Sequence, residues 1–338
     1  MIELDGSQGE GGGQMLRTSL TLSMITGQPF RIVNIRANRA KPGLARQHMV
    51  AVTSAAKVSS AEVSDIEVGS TRLEFHPKRV TPGDIKIDIG TAGSATLVLH
   101  TLLPALLLAG EPSSLLIRGG THNPMAPPMH FVDRAFGRAL RQMGAVVELE
   151  LRRFGFYPRG GGEIAANIMP CRRLQPIELI ARGPRLHAFA EAFVAALPPD
   201  IAHRELDVIR AQCDVREANL RMCGLPNDQG PGNVLLYTVE HEHVTEVFSA
   251  IGERGVRSED VARRVAAEAR AYEESDGAVG EHLADQLLLP LALAGGGSFS
   301  MAHLSQHTLT NADVVRKFLP VRIDFIREPS RTVCTVGG

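Results

Sequence analysis

Three segments of this chain resemble one another: LTLSMITGQPFRIVNIR, LLPALLLAGEPSSLLIRGG and LLPLALAGGGSFSMAHL. Each reads as an apolar helix, a glycine C-cap and then an alternating strand, with Gly27, Gly110 and Gly295 as the cap glycines. An internal repeat limits the fold more than any composition figure, because each copy is one supersecondary unit that stacks on its neighbours. Gly27 and Gly110 lie 83 residues apart, whereas Gly110 and Gly295 lie 185 apart. The second interval is longer by about one small domain. Either a fourth copy has diverged or a module is inserted into the third unit, and insertion is the reading favoured here.

The character of segment 181–277 supports insertion. It holds two charged amphipathic helices, IAHRELDVIRAQ and SEDVARRVAAEARAYEES. Between them NVLLYTVEHEHVTEVF alternates like a strand and then turns helical, after the turn-forming GLPNDQGPGN. ESDGAVGEHL returns the chain to the apolar repeat. The expected architecture is therefore α+β, with residues 1–180 and 278–338 forming a large domain of helix-on-sheet units and 181–277 a smaller α/β domain. At 338 residues the chain exceeds the usual single-core limit of roughly 250–300, which agrees with two domains.

Composition excludes several classes. A net charge of −1 argues against a protein that coats nucleic acid non-specifically. With no tryptophan and 4% aromatics, there is no broad platform for stacking single strands. The longest apolar run, LVLHTLLPALLLAG, is too short to span a bilayer, so no membrane association is expected. The four cysteines show no CxxC spacing and suit a reducing compartment, and the N-terminus lacks the pattern of a secretory signal. A cytoplasmic location is expected.

Chemistry-bearing residues fall in a few short stretches. DGSQGEGGGQMLR, Asp5 to Arg17, is a glycine-rich turn feeding a helix, a shape that suits phosphate, yet it is neither a P-loop nor a dinucleotide fingerprint. IRANRAKPGLARQH places Arg36, Arg39, Lys41 and Arg46 on one loop, either a bidentate phosphate site or a solvated basic turn. DIGTAGSATLVL reads as a second glycine turn with Ser94 near a helix N-cap, and GFYPRGGGEI as a third turn after the strand AVVELELRRF. In SQHTLTNADVVRKFL, His307 precedes Thr310-Asn311-Ala312-Asp313, read as the capping box of a helix. An electropositive helix end favours a neutral imidazole, which a nitrogen nucleophile requires, although a packed histidine would look the same. His303 lies four residues earlier on what reads as a strand, which does not suit a metal pair. Asp285 and Gln286 open an apolar helix, where the acid either orients a ligand or complements the helix dipole. His241 and His243 read as a solvated strand face.

Together these motifs, with GGTHNPMAPP, NDQGPGN and EHLADQLLLP between them, resemble the RNA 3′-terminal phosphate cyclase family along the whole chain and in the family's order. The resemblance implies a large domain of three repeats, each two helices on a four-stranded sheet, with the smaller α/β domain inserted in the third. It also implies ATP-dependent conversion of an RNA 3′-phosphate to a 2′,3′-cyclic phosphate, through a histidine–AMP and an RNA-adenylate, with AMP and diphosphate released. By motif, His307 would be the nucleophile, and Arg17, Arg36, Arg39 and Gln47 would bind the phosphates of ATP and the RNA end. Glu10 would help hold a divalent metal, Mg2+ or Mn2+. Asp285 and Gln286 would line the nucleotide site, and Pro127 and Phe131 would contact adenine. The partners implied are RNA with a 3′-phosphate end and ATP, and a homodimer is left open. Two positions depart from the family pattern: His282 stands where a stacking tyrosine is common, and Phe154 stands where a basic residue is expected. Two other readings compete: a non-catalytic RNA-binding homologue, which would lack the nucleophilic histidine, and an enolpyruvyl-type transferase, which would have two comparable domains in succession.

Overall fold

The computed structural model describes residues 1–9 and 12–337. The first repeat runs β1 (Ile2–Asp5), α1 (Gly13–Thr26), β2 (Phe30–Val33), α2 (Arg46–Ser59), β3 (Glu62–Val63) and β4 (Leu73–His76). β1 pairs parallel with β2, which pairs antiparallel with β4, and β3 closes the far edge. The second repeat follows the same plan. It comprises β5 (Asp84–Asp88), α3 (Ala95–Leu107), β6 (Ser113–Gly119), a helix in three pieces, β7 (Val147–Arg153) and β8 (Gly162–Ile168). The pieces are α4 (Met129–Phe131), a π-helical turn over Val132–Gly137 and α5 (Arg138–Gln142). Its sheet order is β5-β6-β8-β7, with the same alternation of parallel and antiparallel pairs.

The third repeat opens with β9 (Glu178–Leu179) and is then interrupted. The interruption consists of β10 (Arg185–Ala195), α6 (Asp200–Gln212), β11 (Leu220–Leu225), β12 (Gly232–His241), β13 (Thr245–Ile251) and α7 (Ser258–Glu273). The repeat resumes with α8 (Glu281–Ala294), β14 (Gly296–Met301), α9 (Gln306–Phe318), β15 (Arg322–Arg327) and β16 (Thr332–Gly337). β9 pairs parallel with β14 and the sheet reads β15-β16-β14-β9, which is again the same plan. The chain is thus mixed α/β with four four-stranded sheets among the described residues.

Helix α1 explains why the repeats adhere. Nearly every residue from Met15 to Met24 is buried, because α3 packs on one side and α9 on the other. Its buried hydroxyls are satisfied by carbonyls: Ser19 bonds Met15 O at 2.6 Å and Thr21 bonds Thr101 O at 2.7 Å. The sheet β11-β10-β12-β13 is covered on both faces, and the period of 2 sorts its side chains. Leu235, Tyr237 and Val239 pack under α6 and α7, while Val234 and Leu236 join the core of the repeats.

Several local expectations are corrected. Gly27 and Gly295 cap α1 and α8 in the left-handed conformation, but α3 ends at Leu107 with Leu108 as its cap, and Gly110 lies beyond it. VTEVF is strand β13, not the start of a helix. His241 is buried at 5% exposure against Tyr272, because β12 passes beneath α7. No helix among the described residues is long and apolar enough to cross a membrane.

The interrupting segment holds α8 by its end. Glu246 of β13 is 2% exposed and accepts the backbone N–H of Gly280, the N-cap of α8, at 2.7 Å. Burial pushes its carboxyl up from 4.5 to about 8, against the pull of the Gly280 bond and Arg182. A raised carboxyl binds its proton more tightly when folded, so stability is highest in acid and declines as pH rises through the window from 4.5 to 8. Glu246→Gln keeps an acceptor for Gly280 and cannot ionise. Thermal unfolding followed from pH 5 to 8 should show a decline worth several kcal/mol in the wild type and a largely flattened profile in the variant. Parallel profiles would contradict this assignment.

Candidate functional site

Helix starts converge on a cleft of about 510 Å³ lined by Arg17, His307, Asp285 and Gln286. α1 begins at Gly13, α9 at Gln306 behind a Ser305 cap that accepts Thr308 N–H, and α8 behind Gly280. Neither α1 nor α9 carries an acid in its first turn, so their electropositive ends are left for an anion. Gly13 is required by close approach, since a Cβ there would collide with Nε2 of His48.

His307 lies inside the first turn of α9 rather than ahead of it, which corrects the expected capping box at Thr310. Its Nδ1 is 2.8 Å from Oε1 of Gln14, whose Nε2 donates to Oδ1 of Asp285. With its amide nitrogen turned to the acid, Gln14 presents only an acceptor to the imidazole. His307 therefore carries its proton on Nδ1 and its lone pair on Nε2. Asp285 is half-buried at the cleft. Burial raises its carboxyl above the usual range, while the Gln14 bond, His307 and Arg17 oppose that shift. A second ladder fixes the same three helices: Thr18 of α1 bonds Oδ1 of Asn311 at 2.8 Å, and Asn311 of α9 bonds the carbonyl of Asp285 at 2.9 Å. Asn311, expected within a capping box, is instead a cross-brace.

The basic loop forms the neighbouring wall. Arg36 bonds the Gly43 carbonyl at 2.8 Å, and burial followed by Arg39 lowers its guanidinium from the usual value. His48 accepts the Ala45 N–H on Nδ1 at 3.0 Å and faces Gly13 with Nε2. Burial, then Arg17 and Arg36, lower its pKa to about 3, so it is neutral beside two fixed cations. Arg17 thus belongs to both the cleft and this wall, whereas Arg36, Arg39 and Gln47 do not line the cleft itself. Glu10 lies outside the described residues. Among those described, no group of three or more His, Cys, Asp or Glu is placed to hold a metal ion.

The opposite end of the cleft is apolar. Pro127, Phe131, His282, Leu289 and Pro290 line it, and Val247, Ser249, Ala250 and Ile251 of β13 with Glu268 of α7 form a wall from the interrupting segment. The carbonyl of Pro127 is held by Thr96 Oγ1 at 2.8 Å, at the start of α3, where Ser94 caps as expected. His100 stacks on Phe136 with ring centres 4.6 Å apart. Burial, then Arg17, lower its pKa to about 3. His100 Nε2 and Gln286 Oε1 are buried without a hydrogen-bond partner. Phe154 points elsewhere: it stacks on His122 at 4.6 Å and meets Phe193 of β10 at 4.9 Å, a joint between the second repeat and the interrupting segment. A phosphate contact at that position is replaced by packing.

The sequence reading missed Gln14, His48 and His100. Gln14 was legible in principle, because it stands three residues before Arg17 on one helix face. The wall from β13 and α7 leaves no local signal.

A sequence profile of the RNA 3′-terminal phosphate cyclase family matches residues 8–325. Proteins named RNA 3′-terminal phosphate cyclase from Koribacter versatilis, Ralstonia nicotianae and Ectopseudomonas mendocina are each 51% identical to it. The three alignments cover 97%, 99% and 95% of this chain and 92%, 96% and 94% of the relatives. The solved enolpyruvyl transferase NikO from Streptomyces tendae gives a TM-score of 0.39 at 11% identity, covering 98% of this chain and 47% of that one, a likeness too weak to carry weight.

Gln14→Ala should release the imidazole. Nitrogen NMR shifts of His307 should report an Nδ1–H tautomer in the wild type and a mixture in the variant. An unchanged tautomer would show that Gln14 does not set it.

Proposed function

The chain belongs to the RNA 3′-terminal phosphate cyclase family, and on that premise we propose that it uses ATP to convert an RNA 3′-terminal phosphate into a 2′,3′-cyclic phosphate through a His307–AMP intermediate. The observation that carries this reading is the chain Asp285–Gln14–His307, which supports a lone pair on Nε2 beside Arg17 and two helix N-termini.

In the first step Nε2 attacks the α-phosphorus of ATP, an N–P bond forms and the bond to diphosphate breaks. An oxygen of the RNA 3′-phosphate then attacks that phosphorus, the N–P bond breaks and AMP becomes half of a mixed anhydride. Last, the vicinal 2′-oxygen attacks the RNA phosphorus, losing its proton, and AMP leaves with the anhydride oxygen. The monoester has no good leaving group until AMP supplies one. Ring closure is intramolecular, so the protein's task is to position groups and neutralise charge.

Arg17 would contact phosphate from within the cleft, with Arg36, Arg39 and Gln47 receiving the RNA end along the adjoining wall. Pro127, Phe131 and His282 would hold the adenine, beside Asp285 and Gln286. When bound, Mg2+ or Mn2+ would neutralise charge on the triphosphate. Such an ion, held by phosphates and one carboxylate, needs no protein cage, and Glu10 is the carboxylate proposed. Residues 181–277 would be the inserted module, with 1–180 and 278–338 as the catalytic body. The free cysteines fit a cytoplasmic enzyme.

Incubation with ATP labelled at the α-phosphate should give an acid-labile, hydroxylamine-resistant protein adduct. His307→Ala should abolish it, and Arg17→Ala should slow its formation by roughly 10²-fold. An undiminished adduct in His307→Ala would sink the mechanism. Conversion of a 3′-phosphorylated oligonucleotide to a phosphatase-resistant end tests the RNA half.

A further inference from the structure

We infer that Tyr157 is a stacking platform for one base of the RNA, just upstream of its 3′-terminal phosphate. The inference rests on the cyclase reading of the cleft and adds a contact outside it.

Of the three tyrosines, Tyr237 and Tyr272 are 0% and 4% exposed, whereas Tyr157 is 63% exposed. Among the described residues it is the one Phe or Tyr ring presented openly to solvent. It sits at the tip of the turn joining β7 to β8, and its neighbours hold that turn in place. Phe156 is 1% exposed, and its carbonyl accepts Gly160 N–H at 2.7 Å. Gly160, at φ 70°, lies so close to the loop before α3 that a Cβ there would come within 2.8 Å of Ala92 Cα. Arg159 bonds the Gly230 carbonyl at 2.7 Å. A large ring fixed on a seated turn loses little freedom when a flat partner covers it.

The turn also lies next to the phosphate wall. Ala92 is followed by Gly93, where a Cβ would approach Gln47 Cβ to 3.3 Å, and Gln47 precedes His48, which faces Arg17. A strand leaving the cleft past Gln47 and Gly93 would therefore reach the turn that carries Tyr157. Two acids near the turn have cationic partners, Asp228 beside Arg153 and Glu163 beside Arg118, each at 2.7 Å. Single-stranded RNA is gripped by stacking of unpaired bases together with backbone charge. A chain with no tryptophan and few aromatics can offer one such ring rather than a row, and every base has a face to lay on it.

The test uses a short fluorescein-labelled RNA bearing a 3′-phosphate, with affinity read by anisotropy. Tyr157→Ala should weaken binding about tenfold or more, and Tyr157→Phe should bind as the wild type does. An RNA with abasic upstream nucleotides should lose the same factor on the wild type and bind equally to both proteins. In protein carrying 3-fluorotyrosine, the fluorine resonance removed by Tyr157→Phe should shift on RNA addition while the two buried ones stay. Equal binding by Tyr157→Ala, a loss in Tyr157→Phe matching that in Tyr157→Ala, or a silent Tyr157 resonance at saturating RNA would overturn the inference. So would a resonance that shifts with protein concentration alone, which would mark a contact between copies of this chain. If the wild type binds no 3′-phosphorylated RNA, the cyclase reading falls with it; if it binds and Tyr157 is indifferent, only this contact falls.

Discussion

Everything at the site depends on one amide. Gln14 comes from the first repeat, while Asp285 and His307 come from α8 and α9 of the third, and the side chain of Gln14 is the only bridge through which the acid reaches the imidazole in the described contacts. An amide is suited to the place because its two ends differ. One donates to a carboxyl, the other accepts from a ring, and the difference is passed on as a choice of tautomer. The Thr18–Asn311–Asp285 ladder runs alongside and keeps the three helices at a separation that lets the amide span them.

That bridge explains the burial of α1. A helix at the margin of a repeat would fray and move its first turn, whereas α1 is clamped by α3 and α9 from Met15 onward. Beyond Arg17 its polar residues are short hydroxyls, and Ser19 and Thr21 return hydrogen bonds to carbonyls at little volume. The second repeat contributes at a distance: α3 supplies the floor of the apolar end and anchors the loop bearing Pro127. The interrupting segment adds a wall and, through Glu246, a fixed start for α8.

The repeat plan was legible because helix and strand periods differ, and the two amphipathic helices of 181–277 were found for the same reason. Errors arose where one short string allows two local structures. SQHTLTNAD contains two possible caps, and the acid at 313 drew attention to Thr310. The chain uses Ser305, which places Asn311 inside the helix where it can reach Thr18. The helical turn expected at VTEVF is instead strand β13, where Glu246 is buried through a contact made 34 residues away. Arg17, Asp285 and His307 were identified as candidates from type and motif. Gln14, which joins two of them from one turn before Arg17 on α1, was passed over, because the partners that give it a role come from the other end of the chain.

The point of interruption also sets an order of events. The first two repeats are contiguous, so each can complete its sheet as it leaves the ribosome. The third cannot: β9 consists of two residues whose partner in β14 is made only after the whole intervening segment. Domains form as units during synthesis, beginning at the N-terminus. A nascent or truncated chain would therefore hold the folded basic loop of the first repeat well before it holds His307, which arrives with the last helix.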